Sequence, residues 1–581
     1  MFYLSRAGSR AAASKVSPGR HPGPVEPAHS AELRDVEAEA QPDEAVDPAA
    51  PWSLRPPPVQ SKAPGKDQSV RWSIHDRTHL QCSLVYRARN LLDRFKLFER
   101  FEWEVYFFVP DSFRLDSQTY RQDDIYADLK SYVRLAPREE PLRDLLQEPL
   151  TRLTQALKGD SAEALDGLRL ISCLLRDALA NAERHIIAEL DSCVEAEARR
   201  QTRARDASGV VTKPGKGIPL VLSRSLDLQI RGAIKTGPQV LTGLLETIDA
   251  ALAARTDIDE TTLTAADWVK AEISLMFEAF FGRTARKLKA SGGPRECIEA
   301  LTQAALDAVE ARQDCSLDLE LSGPLRPERV EHFEFQRHVL KRFTSSVLWL
   351  QTRVGEPGRW IKHALYAIAA GAAMAFAVAA ALWNGVAPNG QLMPWLVAAV
   401  IAYAVKDRMK AILQETFSNV VARHFPDRRW DITGRDGKRI AVVDEHSGFV
   451  PFHSVQPEVL AARRRTRVHA IEEVARPETV LCHKKSFVLD NEHLAALGPD
   501  FDGLAEIFRL DLHRWLAHTD DPKQTVVVAD RETESIRSYK APRVYNIAVV
   551  YRLRYADQSS PWHRLRVVVS RKGLQRVDSI D

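Results

Sequence analysis

One stretch constrains this chain more than any other: "GAAMAFAVAAALWNGVAPNGQLMPWLVAAVIAYAVKDR", Gly371 to Arg408. Around it the sequence is charged and polar. Ala364–Trp383 is twenty residues without a charge. At about 1.5 Å rise per residue, that run spans about 30 Å, the thickness of a hydrocarbon core. Alanine dominates it, and Leu365, Ile368, Phe376, Val378 and Leu382 are the strongly apolar members. Those five contribute about −1.5 to −3 kcal/mol to insertion, so a partner helix is expected.

The partner follows at once. Leu392–Val405 is fourteen uncharged residues, about 21 Å of helix and short of a full span. Lys406, Arg408 and Lys410 can snorkel at its near end. The connector "NGVAPNGQ" is turn chemistry. Together the two segments predict a transmembrane helical hairpin over residues 361–406. Gly371, Ala375 and Ala379 on the first helix, with Ala398 and Ala402 on the second, predict close packing through small residues. Trp383 and Trp395 suit an outer aromatic belt and Trp360 an inner one. Arg353, Arg359 and Lys362 precede the hairpin, and the connector carries no Lys or Arg. The positive-inside rule then places both termini in the cytoplasm, in a bacterial inner membrane. The competing reading is an Ala-rich hairpin buried inside a soluble protein.

The chain's 581 residues allow several domains. Residues 1–65 hold eleven of the 32 prolines and read as a disordered, Pro- and acid-rich tail. Residues 66–137 read as a small α/β piece. Val70, Trp72, Ile74, Leu80, Cys82, Leu84 and Tyr86 share one face of a strand that can break into a hairpin near Asp76–Thr78. "QDDIYADLKSYVRL" shows helical spacing. Residues 138–360 read as a helical cytosolic domain. Residues 407–426 form an amphipathic helix, continuous with the second span, lying on the membrane or packed on the protein's own domain. Residues 427–581 read as a C-terminal α+β domain. There "WDITGRDGKRIAVVDEHSGFV" signals a β-hairpin, "GLAEIFRLDLHRWLAH" reads as a helix, and Tyr545–Tyr555 alternates without a break. The expected class is thus an α+β membrane protein: a transmembrane hairpin, a mainly helical cytosolic domain and two smaller β-containing cytosolic pieces. Those pieces can share one sheet or stand apart.

Lys+Arg 81 nearly balances Asp+Glu 78, which argues against a dedicated nucleic-acid partner. The closest two of six cysteines, Cys297 and Cys315, are eighteen positions apart, which suits reduced thiols. Asp123, Asp124 and Asp128 are the weak catalytic candidates. Asp124 and Asp128 share a helical face and could hold Mg²⁺ or act as acid and base. Acidic residues in a helix's first turn also simply complement its dipole. His75 and His79 are about 13 Å apart if the strand is unbroken, too far to share a metal. "DEHSGFVPFH" offers Asp444, Glu445, His446 and His453, and "HRWLAH" offers His513 and His518, without a nucleophile motif. Arg463, Arg464, Arg465 and Arg467 could touch anionic lipid or form a solvated face with Glu472 and Glu473. No phosphate loop, dinucleotide fingerprint, nucleophile elbow or zincin motif is present, and no cofactor is expected.

"FVPDSFRLDSQTYRQDDIYADLKSYVRL", "LKRFTSSVLWLQTRV" and "AYAVKDRMKAI" resemble a group of uncharacterised bacterial inner-membrane proteins with two spans and a Lys-Asp-Arg where the second ends. The resemblance implies topology and no activity, with Lys406, Asp407 and Arg408 as an interfacial anchor. The expected role is a membrane-anchored interaction, scaffold or sensing module, binding the bilayer and a protein partner or a second copy. The alternative is a membrane-tethered hydrolase using a carboxylate/His site.

Overall fold

Alternation along the strands sets the architecture. The computed structural model describes residues 59–62, 69–88, 97–208, 222–255, 258–312, 317, 319, 326–384, 392–464, 478–531, 534–555 and 558–580. The N-terminal part supplies β1 (Val59–Lys62), β2 (Ser69–Ile74), β3 (His79–Arg87), β4 (Phe98–Val109), α1 (Gln122–Asp128) and β5 (Leu129–Pro137). Helices α2 (Glu148–Lys158), α3 (Ser161–Ser208), α4 (Arg224–Ala253), α5 (Glu260–Ala290), α6 (Arg295–Glu310) and α7 (Pro327–Ser345) follow. Strand β6 (Gln351–Gly355) leads to α8 (Gly358–Asn384) and α9 (Leu392–His424). The C-terminal part is β7 (Arg428–Thr433), β8 (Arg439–Val450), α10 (Pro457–Arg464), β9 (Thr479–Asp490), β10 (Phe501–Asp511), β11 (Lys523–Asp530), β12 (Ser535–Pro542), β13 (Tyr545–Tyr555), β14 (Gln558–Ser559), β15 (His563–Ser570) and β16 (Gly573–Ser579).

Two antiparallel sheets face each other. One runs β1-β2-β3-β10-β5; the other, nine-stranded, runs β16-β15-β13-β4-β9-β8-β7-β6 with β14 beside β13. The two β-containing pieces therefore share both sheets: β4 lies between β13 and β9, and β10 between β3 and β5. Sequence left this open because the pairing joins segments about 400 residues apart in the chain. Between the sheets lie Trp72, Trp103, Phe107, Phe508 and Tyr551, with Trp103 and Phe508 rings 4.9 Å apart. α10 covers the other face of the larger sheet, packing Val459 and Ala462 near Phe108, Val550 and Trp562. The helices α2 to α6 build a separate core around Leu168, Val240, Phe277 and Leu301. Arg176 ties this bundle to α7 by donating to Glu272 (2.8 Å) and Ser345 (2.9 Å).

Two sequence readings change, and one open choice is decided. "QDDIYADLKSYVRL" is helical only to Asp128; from Leu129 it is strand β5, paired with β10. "GLAEIFRLDLHRWLAH" is not a helix over most of its length. Its first part is strand β10, whose Leu504, Phe508 and Leu510 face the core at a period of two. The second apolar segment and the amphipathic helix after it are one continuous helix, α9. The tail expected over 1–65 lies outside the described residues except for Val59–Lys62, which pair with β2. The predicted break near Asp76–Thr78 is present, and so is the β7–β8 turn, where Gly437 takes a φ of 76°. The described cysteines Cys82, Cys173, Cys193, Cys297 and Cys482 are free thiols.

Candidate functional site

The carboxylates singled out by sequence do not form a cleft. Asp123 points to solvent. Asp124 accepts from the Arg121 backbone N–H at 3.1 Å, closing the start of α1, and pairs with Arg514. The hydrogen bond from that guanidinium, with the backbone one, lowers its pKa. Asp128 is buried and accepts from Tyr120 OH at 2.7 Å; burial raises its pKa against that bond and the nearby Arg514. No histidine meets them, and no group of three or more His, Cys, Asp or Glu among the described residues is placed to hold a metal. His75 and His79 come together across the β2–β3 turn, rings 6.3 Å apart, and His79 Nδ1 bonds to Asp76 at 2.9 Å. Asp444 pairs with Arg429 (2.7 Å), His513 and His518 are exposed, and Arg463 pairs with Glu478 (2.7 Å). Arg464 is exposed, while Arg465 and Arg467 lie outside the described residues.

Sequence reasoning missed a polar cluster between the sheets. Lys485 of β9 is 2% exposed and meets Glu445 of β8 at 2.6 Å and Glu506 of β10. Tyr86 OH donates to Glu506 at 2.9 Å, and Lys485 donates to Ser131 of β5 at 2.6 Å. His483 lies beside it, bonded through Nδ1 to Ser447. Burial works against the charge on Lys485, but the two carboxylates outweigh it and raise its pKa. Burial, helped by Lys485, pushes His483 down to about 3, so its ring is neutral. The signal was in phase with the strands: "Val443-x-Glu445-x-Ser447" and "Leu481-x-His483-x-Lys485-x-Phe487" put polar groups on the inward face. With Ser447 and His483 at 8% and 1% exposure, the cluster is structural rather than a substrate site. A cavity of about 550 Å³ between the bundle and the sandwich is crossed by an Arg152–Asp500 pair at 2.6 Å. It is lined by no His, Ser, Cys or Lys among the described residues.

The apolar pair α8–α9 is the other unusual feature. Strands β6 and β7 pair antiparallel, with Gly355 opposite Arg429, so α8 begins and α9 ends at one edge of the larger sheet. A Cβ on Gly358 would stand 3.0 Å from Val421 Cγ1 and 3.3 Å from Phe425 Cβ, so glycine permits the close approach at the foot. Above it, Ala369 and Ala373 are buried, with Leu365, Ala377 and Ala380 half-buried; on α9 the matching positions are Ala398, Ala402, Lys406, Met409 and Leu413. The contact on α8 thus runs through Ala369 and Ala373, while Gly371, Ala375 and Ala379 point outward. Ala398 and Ala402 face the partner as expected.

Ala373 stands fifteen residues above Gly358, and Lys406 fifteen before Val421, so both lie about 22 Å up the hairpin. Lys406, Arg408 and Lys410 are therefore not level with Arg359 and Lys362, because α9 is charge-free only over its outer part. Lys406 Nζ lies 4.0 Å from the Tyr403 ring centroid and 3.8 Å from Asp407. Among the described residues α8, over Gly358–Trp383, is the one helix long and apolar enough to cross a membrane, and only 11% of its most apolar window is buried. Trp360 is 70% exposed, Leu382 77% and Trp383 92%; Lys362 is exposed. Trp395 belongs to the first turn of α9, but its side chain lies outside the described residues. No family model matches this chain, and no curated protein or solved structure matches it.

Proposed function

We propose that α8 and α9 insert into a bilayer as a two-span hairpin and hold the sandwich and helical bundle at its cytoplasmic face. There the folded body acts as an interaction, scaffold or sensing module. One observation carries this reading: α8 presents its apolar side chains outward along its length while both ends of the hairpin return to one sheet edge. A core helix of a soluble protein would bury that surface, and exposed apolar patches of this extent mark a membrane or partner contact. The uncharged connector over residues 385–391, against cations on both flanks, favours cytoplasmic termini.

The register sets the depth. A layer of about 30 Å measured down from Leu392 ends near the level of Ala367 and Ile412. Lys410, Arg408 and Lys406 then sit about 3, 6 and 9 Å inside that edge. The first two snorkel, and Lys406 is screened by Asp407 and Tyr403. The carboxylate arrangement gives the hydrolase alternative no support, since Asp124 and Asp128 are committed to Arg514 and Tyr120. Alkaline carbonate washing of cell membranes tests the anchor. The full chain stays in the pellet on this reading; release into the supernatant refutes it.

A further inference from the structure

At the foot of the hairpin the two sheets part. β5 and the segment before β6 touch through a single bridge, Arg134 opposite Trp349, and then diverge. The gap is a cleft of about 600 Å³ between Leu129–Tyr132 on one side and Val354–Glu356 on the other. Lys130, Arg359 and Arg428 line it, against one carboxylate, Glu356. Elsewhere many arginines pair with carboxylates, as in Arg429–Asp444, Arg463–Glu478 and Arg552–Glu104. These three cations have no ion-pair partner among the described residues; Arg428 rests its guanidinium 4.1 Å over the Tyr126 ring. Ser131 also lines the cleft. Its Oγ accepts from Lys485 Nζ, which leaves its own O–H for an acceptor in the cleft.

We propose that this cleft binds the phosphate of an anionic phospholipid headgroup. The proposal rests on the membrane reading above and adds to it a site and a lipid class. Three unpaired cations and a hydroxyl suit a phosphate's several acceptor oxygens. The exposed face of α8 starts at Arg359 and Trp360, about 12 Å below the level of Ala367, so a headgroup held here draws its lipid partway out of the leaflet, with the acyl chains running up the helix. Tyr132, 53% exposed, and Trp430 add aromatic rings to the cleft wall. Arg464 on α10, by contrast, lies on the helix covering the sheet's other face.

The test uses the full chain in detergent, titrated with phosphatidylglycerol or phosphatidylcholine, with bound lipid read by native mass spectrometry. Phosphatidylglycerol binds in preference, and each of Lys130→Gln, Arg359→Gln and Arg428→Gln weakens it about fivefold while leaving phosphatidylcholine unchanged. Arg464→Gln has no effect. Equal binding of the two lipids, or loss of selectivity in Arg464→Gln alone, overturns the proposal. Displacement by inorganic phosphate at equal concentration assigns the cleft to a soluble phosphate compound and overturns the lipid assignment. Unchanged circular dichroism shows that the variants fold. Carbonate resistance of the same wild-type preparation is read separately: a chain that washes off refutes the anchor, whereas a chain that stays but binds both lipids alike refutes only the cleft.

Discussion

The interior of the sandwich and the outside of the hairpin invert the usual distribution of charge. Between the sheets, shielded from solvent, stand the charged Lys485, Glu445 and Glu506 beside a neutral His483. On the surface of α8, from Ala364 to Trp383, there is no charge at all. The buried charges persist because each meets a partner; an isolated one would cost several kcal/mol. The apolar exterior has no protein partner among the described residues, so its stability depends on what surrounds it. On the membrane reading proposed above, the two regions answer to different solvents.

The comparison can be broken first at its buried half. Lys485→Met leaves two carboxylates facing each other without a cation and destabilises the sandwich by about 3–5 kcal/mol, read as a lower unfolding midpoint. Adding Glu445→Gln and Glu506→Gln to that variant recovers most of the loss. A single variant as stable as wild type shows that the cluster holds nothing together. At the hairpin's foot, Gly358→Val pushes a side chain against Val421 and Phe425. It costs about 1–3 kcal/mol and speeds tryptic cleavage at Arg359; unchanged cleavage shows that the foot is not tightly closed.

His483 gives a pH test. Its pKa falls from an unfolded value of about 6.5 to about 3, so the unfolded chain takes up a proton that the folded chain refuses. Its contribution is complete above pH 6.5 and declines as pH falls toward 3, by about 1.4 kcal/mol per unit. Between pH 6.5 and 5 the wild type loses about 2 kcal/mol more than His483→Asn does. Parallel pH profiles for the two contradict a buried neutral ring. Smaller still, Asp124→Ala removes the closure of α1 and lowers the thermal unfolding midpoint slightly, while Asp123→Ala leaves it unchanged. A large effect at Asp123 would revive a functional role for that turn.

Legibility followed the range of the interactions. The alternation of Tyr545–Tyr555 and the apolar run of α8 are local patterns, and both appear where the sequence puts them. Strand β10 was misread because "LAEIFRL" also fits a helical stripe; its identity comes from pairing with β3 and β5, far away in sequence. That error hid Glu506, and with it the reason for Lys485 and Glu445. The depth offset of Lys406 was likewise invisible, since it depends on which turn of α9 packs on Ala373. The cleft needs three segments to meet: β5, β6 with the start of α8, and β7.

The most direct test asks what touches two exposed valines. Val378 on α8 is 48% exposed and Val527 on β11 is 65% exposed. Each is replaced by cysteine and spin-labelled in the full chain in lipid vesicles, with the wild-type chain labelled in parallel. Collision with oxygen and with a water-soluble nickel chelate is then measured. The account predicts high oxygen and low chelate contact at position 378, and the reverse at 527. Equal chelate contact at both positions would show that water surrounds α8, and the hairpin would then lie outside the membrane.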